Sequence, residues 1–460
     1  MFLRPVTPID ETRYLTVAWE MFLSKDVWVL TLNDRPYFDK PPLLFWLINV
    51  GWSVFGVNDL WPRLLTASFG LGVVILTGRC ASVLLPERPF VPVVAAVAIT
   101  SLPIWLLFTG AVMFDVPLTM FCLAATYFMI LAQRDGKSAC WLLAGVMLGL
   151  AVLTKGPVAF VHVIPLALLM PWVRPIHSRS RWYFGILVSV AIAIALVMPW
   201  LVIAAQKIGG GPFLEALLHD QTLDRIVKTT HHLRPPWFYL WVLPVLLLPW
   251  IAMPVVWRGV SGFASSPSGG PLLRLLIAWV IPPVLLFSAF RGKQVHYLLP
   301  LLPAIAIGIA AALDFELSTL RKTPKEIATR TLTVMSGLLV ITYVVIVPIY
   351  RDLYDTTAVS TAIKDLQDRG VAVGHIGRYH GQFQFVGRLG TSLEVIRAES
   401  SWQKFVKDHP DGVVVVYSRS DSISRLGRDP VATHRFRSQQ VSLWPVSAVL
   451  RRSYDDLVNL

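Results

Sequence analysis

Along most of the chain, apolar residues run on without the alternation of a half-exposed element. Stretches of roughly spanning length lie near 61–84, 91–109, 112–132, 139–154, 157–173, 183–204, 236–256, 271–290, 297–314 and 331–349. Such runs predict helices in hydrocarbon, about ten spans in all. An earlier run at 41–56, "PPLLFWLINVGWSVFG", is too short to span and rich in Trp. It predicts an interfacial or re-entrant helix. From about 351 the pattern changes: "TAIKDLQDRG" and "SSWQKFVKDHP" have helical spacing, while "VAVGHIG" and "DGVVVVYS" read as strands. The expected fold class is mainly α, a polytopic membrane helical bundle over 1–350 with a small α/β domain over 351–460.

Composition supports the membrane assignment. The 460 residues are 55% hydrophobic and 15% charged, against about 25% charged in soluble domains. The 17 Trp and 33 Pro fit membrane interfaces and membrane helices. A net charge of +13 would point to nucleic acid in a soluble protein. No nucleic-acid motif accompanies it, so no nucleic-acid partner is expected, and basic loops facing the cytoplasm and anionic lipid account for the excess. Cys80, Cys122 and Cys140 lie in or at the ends of apolar runs without ligand spacing, and read as packing residues.

Loop charge then orients the chain. The connections at 133–138, 174–182, 257–274 and 315–330 carry Arg134, Lys137, Arg174, Arg179, Arg181, Arg258, Arg274, Arg321, Lys322, Lys325 and Arg330. Their basic residues make that side cytoplasmic. The opposite side receives the N-terminal stretch, 110–115, 154–156, 205–235, 291–296 and everything after 350.

That outer side collects polar residues which helix packing does not require. Asp10 and Glu11 open "PIDETRY", where an N-cap is the plain alternative. Asp39 and Lys40 stand at the apolar boundary of "YFDKPPLLFW", where the lysine alone would snorkel. Asp115 begins an apolar helix, and an intramembrane carboxylate is a functional candidate. Lys155 interrupts "LTKGPVAF" in an equally apolar setting. The 205–235 loop adds His219, Asp220, Arg225, His231, His232 and Arg234; the 291–297 loop adds Arg291, Lys293, His296 and Tyr297. Carboxylates and clustered cations at one membrane surface suit a lipid-phosphate substrate. Cations neutralise the phosphate and a carboxylate takes a proton from an attacking hydroxyl. That chemistry is group transfer from a lipid carrier. The competing class is a transporter or flippase of a lipid-linked or anionic substrate, which would place charges at mid-membrane and repeat its halves.

The stretch "DETRYLTVAWEM…DVWVLTLNDRPYFDKPPLLFWLINVGWSVFGVNDLWPRLLTASFGL" resembles the opening of the aminoarabinose-transferase and protein-mannosyltransferase-like glycosyltransferases. The likeness continues through "MFDVPL", "LTKGP" and "KQVHYLLPLLPA" over roughly 8–310. The resemblance implies a GT-C fold in a bacterial inner membrane, with active site and C-terminus periplasmic. It implies a polyprenyl-phosphate-linked sugar as donor, membrane lipid as surroundings, inversion, and a glycolipid, glycan or protein acceptor. By the same resemblance Asp10, with Glu11 beside it, and Asp115 are the catalytic acids. Lys40, Lys155 and Arg225 face the donor phosphate, and Tyr37, Tyr297 and Lys293 line the donor cavity. A divalent metal would sit between Asp39, in place of the family's Glu, and His219. The family also carries a transmembrane helix before its acidic loop, so either the native start lies upstream, the favoured expectation, with a cytoplasmic N-terminus and one added span, or that helix has been lost.

Overall fold

The structure, a computed structural model, describes residues 4–211, 233–319, 323–418 and 430–459, without the side chains of 350 and 352. Among the described residues six helices are long and apolar enough to cross a membrane: Leu60–Leu84, Asp115–Asp135, Arg179–Ile208, Gly269–Ala289, Val295–Thr319 and Pro324–Ile349. A seventh span results if Val91–Thr100 and Pro103–Thr109, bent by 69°, count as one. The ten expected runs thus reduce to six or seven by length and composition. Ala139–Lys155 and Val158–Val173 are apolar but short. The run at 236–256 is not one helix: it divides into Phe238–Leu246, a turn, and a short 3-10 segment Trp250–Ala252 before Pro254–Ala264. Pro249 lies in the break and lacks a backbone donor, while Pro254 opens the next helix at its first position, where no donor is needed. The two broken segments meet at their breaks. Trp250 Nε1 donates to Ser101 Oγ at 2.8 Å, and Ser101 Oγ donates to Ala98 O at 2.9 Å, both buried. The freed polar groups are thus satisfied by protein, as hydrocarbon demands. The interfacial run at 41–56 forms the 13-residue helix Leu43–Phe55.

The chain divides into two compact units that differ from the expected division at 350/351. Unit 1 comprises Met1–Tyr37, Ile48–Asp59 and Ile341–Leu460; unit 2 comprises Phe38–Leu47 and Leu60–Val340. The N-terminal stretch therefore groups with the α/β domain rather than with the bundle.

Unit 2 is the helical bundle, with Asp115–Asp135 and Val295–Thr319 as its most buried helices. Its loops sort to two ends. At one end Arg88 pairs with Asp314 at 2.9 Å, Gln133 Nε2 donates to Pro175 O at 2.7 Å, and Arg174 donates to Leu84 O at 3.3 Å. These join the connections that loop charge assigned to the cytoplasm. At the other end the segments 110–115, 154–156 and 291–297 converge on Asp115, as described below.

Unit 1 begins with α1 (Asp10–Ser24) and a hairpin of β1 (Thr31–Leu32) and β2 (Arg35–Pro36). Asn33 and Asp34 turn it with φ of 57° and 58°, and Glu20 accepts from both of their backbone N–H groups at 2.7 and 3.4 Å. The α/β domain contains a five-stranded sheet of β3 (Val373–Ile376), β4 (Glu394–Ile396), β5 (Val413–Ser418), β6 (Ala432–Phe436) and β7 (Gln439–Pro445), ordered β4-β3-β5-β7-β6. β3 lies parallel to β4 and β5; β7 runs antiparallel to β5 and β6. The helix Thr357–Asp368 covers one face through Val359 and Ile363, against Val413 and Val415. The helix Glu399–Asp408 covers the other through Trp402 and Phe405, against Val414 and Val416. Burial on both faces explains the unbroken valine run of β5.

A loop of this domain is tied to α1. Thr16 Oγ1 donates to Gly381 O at 2.7 Å, Trp19 Nε1 to Leu389 O at 2.9 Å, and Asn33 Nδ2 to Tyr379 O at 3.3 Å. Gly381 has φ +74°, and a Cβ there would stand 2.8 Å from Thr16 Cγ2. Gly381→Ala therefore meets both a disfavoured backbone and a clash, and is expected to destabilise unit 1 by about 1–3 kcal/mol. Thermal unfolding of the full chain checks this; an unshifted Tm would mean that the loop is not pinned to α1.

Candidate active site

In unit 2 the site is built on a helix start. Asp115 is the first residue of its helix and only 2% exposed. Lys155 Nζ donates to Asp115 Oδ1 at 2.6 Å, and His296 Nε2 lies 4.0 Å from Oδ2. Lys155 Nζ also stands 5.0 Å from the Tyr297 ring centroid, a cation–π contact. Lys40 interacts electrostatically with Asp115, and its Nζ donates to Asp39 O at 3.1 Å. Phe108 and Tyr297 flank His296, with ring centroids 5.6 and 5.1 Å away. The local sequence explains the lysine's position. Gly156 follows Lys155 at φ +78°, ψ −158°, a conformation suited to glycine, and ends the helix there. Two ammonium groups thus surround one buried carboxylate, leaving positive charge in an apolar wall.

Lys293 is placed apart from this group. It is buried, and its ammonium donates to Arg234 O at 3.1 Å and to Phe290 O, tying the 290–294 loop to residue 234. Burial lowers its pKa.

In unit 1 the adjacent acids separate. Glu11 is buried: Arg4 donates to both its oxygens at 2.6 and 2.7 Å, and Thr7 N donates to Oε2 at 2.8 Å. It anchors the turn before α1. Asp10 keeps 46% of its side chain exposed and pairs with Arg13 at 2.5 Å. The N-cap of α1 is Ile9, and no side-chain cap bond is made there, so capping does not account for Asp10. His380 is half-buried and interacts electrostatically with Asp10, Arg13, Arg378 and Arg397; burial and then these arginines lower its pKa. Tyr37 is buried in the hairpin, its N–H donating to Leu30 O at 2.8 Å.

Of the residues expected from sequence, Asp115, Lys155, Lys40 and Tyr297 come together within unit 2, with Asp39 next to Lys40. Asp10, Glu11 and Tyr37 belong to unit 1. Arg225 and His219 lie outside the described residues. His296, noted in its loop but given no role, joins Asp115. Arg4, Arg13 and His380 were not singled out. Arg4 and Arg13 had a usable signal, their spacing from the acids.

A divalent ion would need more donors than Asp39 and His219 provide. Among the described residues no group of three or more His, Cys, Asp or Glu side chains could hold one, and Asp39 neighbours a lysine ammonium. The described residues by themselves do not form a metal site.

Comparison with known proteins bears on this arrangement. The family model described as dolichyl-phosphate-mannose-protein mannosyltransferase matches residues 39–203. An undecaprenyl phosphate-alpha-4-amino-4-deoxy-L-arabinose arabinosyl transferase of Pseudomonas fluorescens is 30% identical over 360 residues, 75% of this chain and 62% of that protein. Its counterpart from Pectobacterium carotovorum is 30% identical over 312 residues, 66% of this chain and 54% of that protein. The chain thus spans between about half and three-fifths of the length of these curated relatives. Among solved structures, ArnT from Cupriavidus metallidurans bound to undecaprenyl phosphate matches with a TM-score of 0.70 at 19% identity, over 97% of this chain and 95% of that one. The archaeal oligosaccharyltransferase AglB from Archaeoglobus fulgidus matches with a TM-score of 0.56 at 13% identity, over 89% and 66%. At these identities the likeness is one of fold.

Proposed function

We propose that this multi-pass membrane chain is a glycosyltransferase of the aminoarabinose-transferase type that transfers a sugar from a polyprenyl phosphate to an envelope acceptor, a reading supported by its likeness in sequence and fold to those enzymes. The acceptor is a glycolipid, glycan or protein, and transfer takes place at the outer face of a bacterial inner membrane with inversion. The observation that carries this reading is the Asp115–Lys155 pair with Lys40 beside it. Asp115 is buried behind its pair with Lys155, whereas Asp10 is open to an acceptor. The task of Asp115 is to hold the lysine, whose ammonium meets the donor phosphate together with Lys40. Asp10, half-exposed and carboxylate-bearing, takes the proton from an acceptor hydroxyl. The acceptor oxygen bonds to the anomeric carbon from the face opposite the leaving group. The bond from that carbon to the phosphate oxygen breaks, its electron pair goes to the polyprenyl phosphate, and the lysines stabilise the charge that develops.

The test is the full chain in nanodiscs with undecaprenyl-phosphate 4-amino-4-deoxy-arabinose, the donor named for the relatives, and an envelope glycolipid extract. Mass spectrometry is expected to find sugar-bearing acceptor and free undecaprenyl phosphate. If this donor and other polyprenyl-phosphate sugars are neither bound nor consumed, the reading fails. Chelation tests the ion: transfer is expected to persist after EDTA treatment. Loss that is restored by an added divalent ion would assign Asp39 and His219 to a metal.

A further inference from the structure

Unit 1 also holds a cavity of about 330 Å³, a size that takes small ligands. Its walls come from the turn before α1, from Asp59, from the segment 351–357 and from a tight turn at 385–388. Two of these segments set its depth. The apolar span Pro324–Ile349 ends two residues before Arg351. The helix Leu43–Phe55 exposes Val50, Val54 and Phe55 and ends four residues before Asp59. An exposed apolar face of that kind lies at the boundary of headgroups and acyl chains. Arg351 and Asp59 therefore meet the cavity at headgroup level.

The charged side chains that line it are set in place. The Arg388 guanidinium carbon stands 3.8 Å from the Phe385 ring centroid, and Phe385 stacks in turn on Trp52 at 5.2 Å and 9°. Trp52 Nε1 donates to Asn58 O at 2.7 Å, which holds the loop that carries Asp59. Asp59 interacts electrostatically with Arg388. One guanidinium nitrogen of Arg388 donates to Phe385 O; among the described residues the other two make no hydrogen bond. The Arg388 backbone has φ 52°, a conformation that surrounding structure must impose on a residue with a side chain. Its fork is thus preorganised, so less ordering is left for a ligand to offset. Arg351 is 61% exposed and stands 3.8 Å from one oxygen of Asp355. The other Asp355 oxygen accepts from Thr357 N at 2.9 Å. Both signs of charge therefore line one cavity at the depth of lipid headgroups.

We infer that this cavity holds the headgroup of a zwitterionic ethanolamine phospholipid, with the phosphate on Arg388 and Arg351 and the ammonium on Asp355. Guanidinium groups suit phosphate oxygens because they donate in a planar fork. A primary ammonium donates hydrogen bonds to a carboxylate; the methylated ammonium of a choline lipid has no N–H to donate. A glycerol headgroup brings the phosphate without a cation and leaves Asp355 unanswered. Arg4, held by Glu11, forms part of the wall, so the bound lipid braces the turn from which α1 and Asp10 start. The inference does not depend on the proposed sugar transfer.

The experiment takes the full chain, delipidated in detergent, and titrates it with phospholipids that bear ethanolamine, choline or glycerol headgroups on the same acyl chains. Soluble phosphoethanolamine serves as the chain-free probe. Native mass spectrometry reads binding, and thermal unfolding reads Tm. The ethanolamine lipid is expected to bind about tenfold tighter than the choline lipid, the worth of about one charge-assisted contact, and tighter than the glycerol lipid. Asp355→Asn still accepts from Thr357 N, and is expected to abolish the preference for ethanolamine without shifting the lipid-free Tm. Arg351→Gln, at an exposed position, is expected to weaken binding of the ethanolamine lipid about tenfold. Competition by soluble phosphoethanolamine would show that the headgroup suffices. Its failure to compete, with the preference intact, would show that acyl chains are needed; both support the site. Equal binding of the three lipids would mark a plain lipid shell and overturn the inference. Tighter binding of the glycerol lipid would assign the cavity to an anionic headgroup and overturn it too. So would an Asp355→Asn variant that keeps the preference, or unchanged affinity in Arg351→Gln.

Discussion

Replacing Asp10 by Asn is expected to lower kcat for sugar transfer by about 10²–10⁴-fold, the usual contribution of a positioned general base, with donor affinity unchanged. Asn keeps the shape of the side chain and still accepts the hydrogen bond from Arg13, so α1 is left intact. What it lacks is a basic oxygen. The adjacent acid supplies the contrast. Glu11→Gln breaks a buried pair that Arg4 makes with both carboxylate oxygens, and removing one partner of such a pair costs about 3–5 kcal/mol. That variant should lose thermal stability while Asp10→Asn does not. Rates at saturating donor, donor binding and Tm, measured side by side on the two variants, separate chemistry from structure. A drop of less than about tenfold for Asp10→Asn would overturn its role as base. It would leave Asp10 orienting an acceptor already ionised, such as a phosphate oxygen.

Adjacency in sequence suggested one catalytic pair, yet successive helical residues point about 100° apart. Glu11 therefore enters the Arg4 network while Asp10 faces outward. Most of the bundle was legible because each membrane helix needs a long apolar run, and such runs are conspicuous. The break at 236–256 was not, because its cost is offset by a distant partner: Trp250 reaches Ser101, 149 residues away. In the α/β domain β3 and β5 were legible as short apolar strands. β4 is three residues long, too short for a period to register. β6 and β7 join at Arg437, whose φ of 57° gives no glycine signal.

The same contrast governs the site. Asp115 and Lys155 stood out because charge in hydrocarbon is costly and needs a reason. His380 sits in the α/β domain, where polar residues are ordinary. Its place near Asp10 and Arg13 follows from the Gly381 contact with Thr16, which a one-dimensional pattern does not carry.

Lys155→Ala is expected to lower kcat/KM for the donor by at least about thirtyfold, since truncating one member of a buried charge pair costs about 2–5 kcal/mol. Two effects would contribute: the phosphate loses its cation, and Asp115 keeps a buried carboxylate without its 2.6 Å partner. The single variant cannot tell them apart, because it also threatens folding. The charge-neutral pair Asp115→Asn with Lys155→Gln does. It restores a hydrogen-bonded, uncharged couple in the same wall, so thermal stability returns toward the wild type. Donor binding returns at most in part, because Lys40 alone is left to face the phosphate. Asp115→Asn alone is the converse case, with the ammonium present but its orienting carboxylate gone. It should bind donor more weakly than the wild type and more tightly than Lys155→Ala. Undecaprenyl-phosphate titrations and thermal shifts on the three variants read out both quantities. If the neutral double variant regained donor affinity together with stability, Lys155 would be a structural partner of Asp115, and the phosphate contact would fall to Lys40.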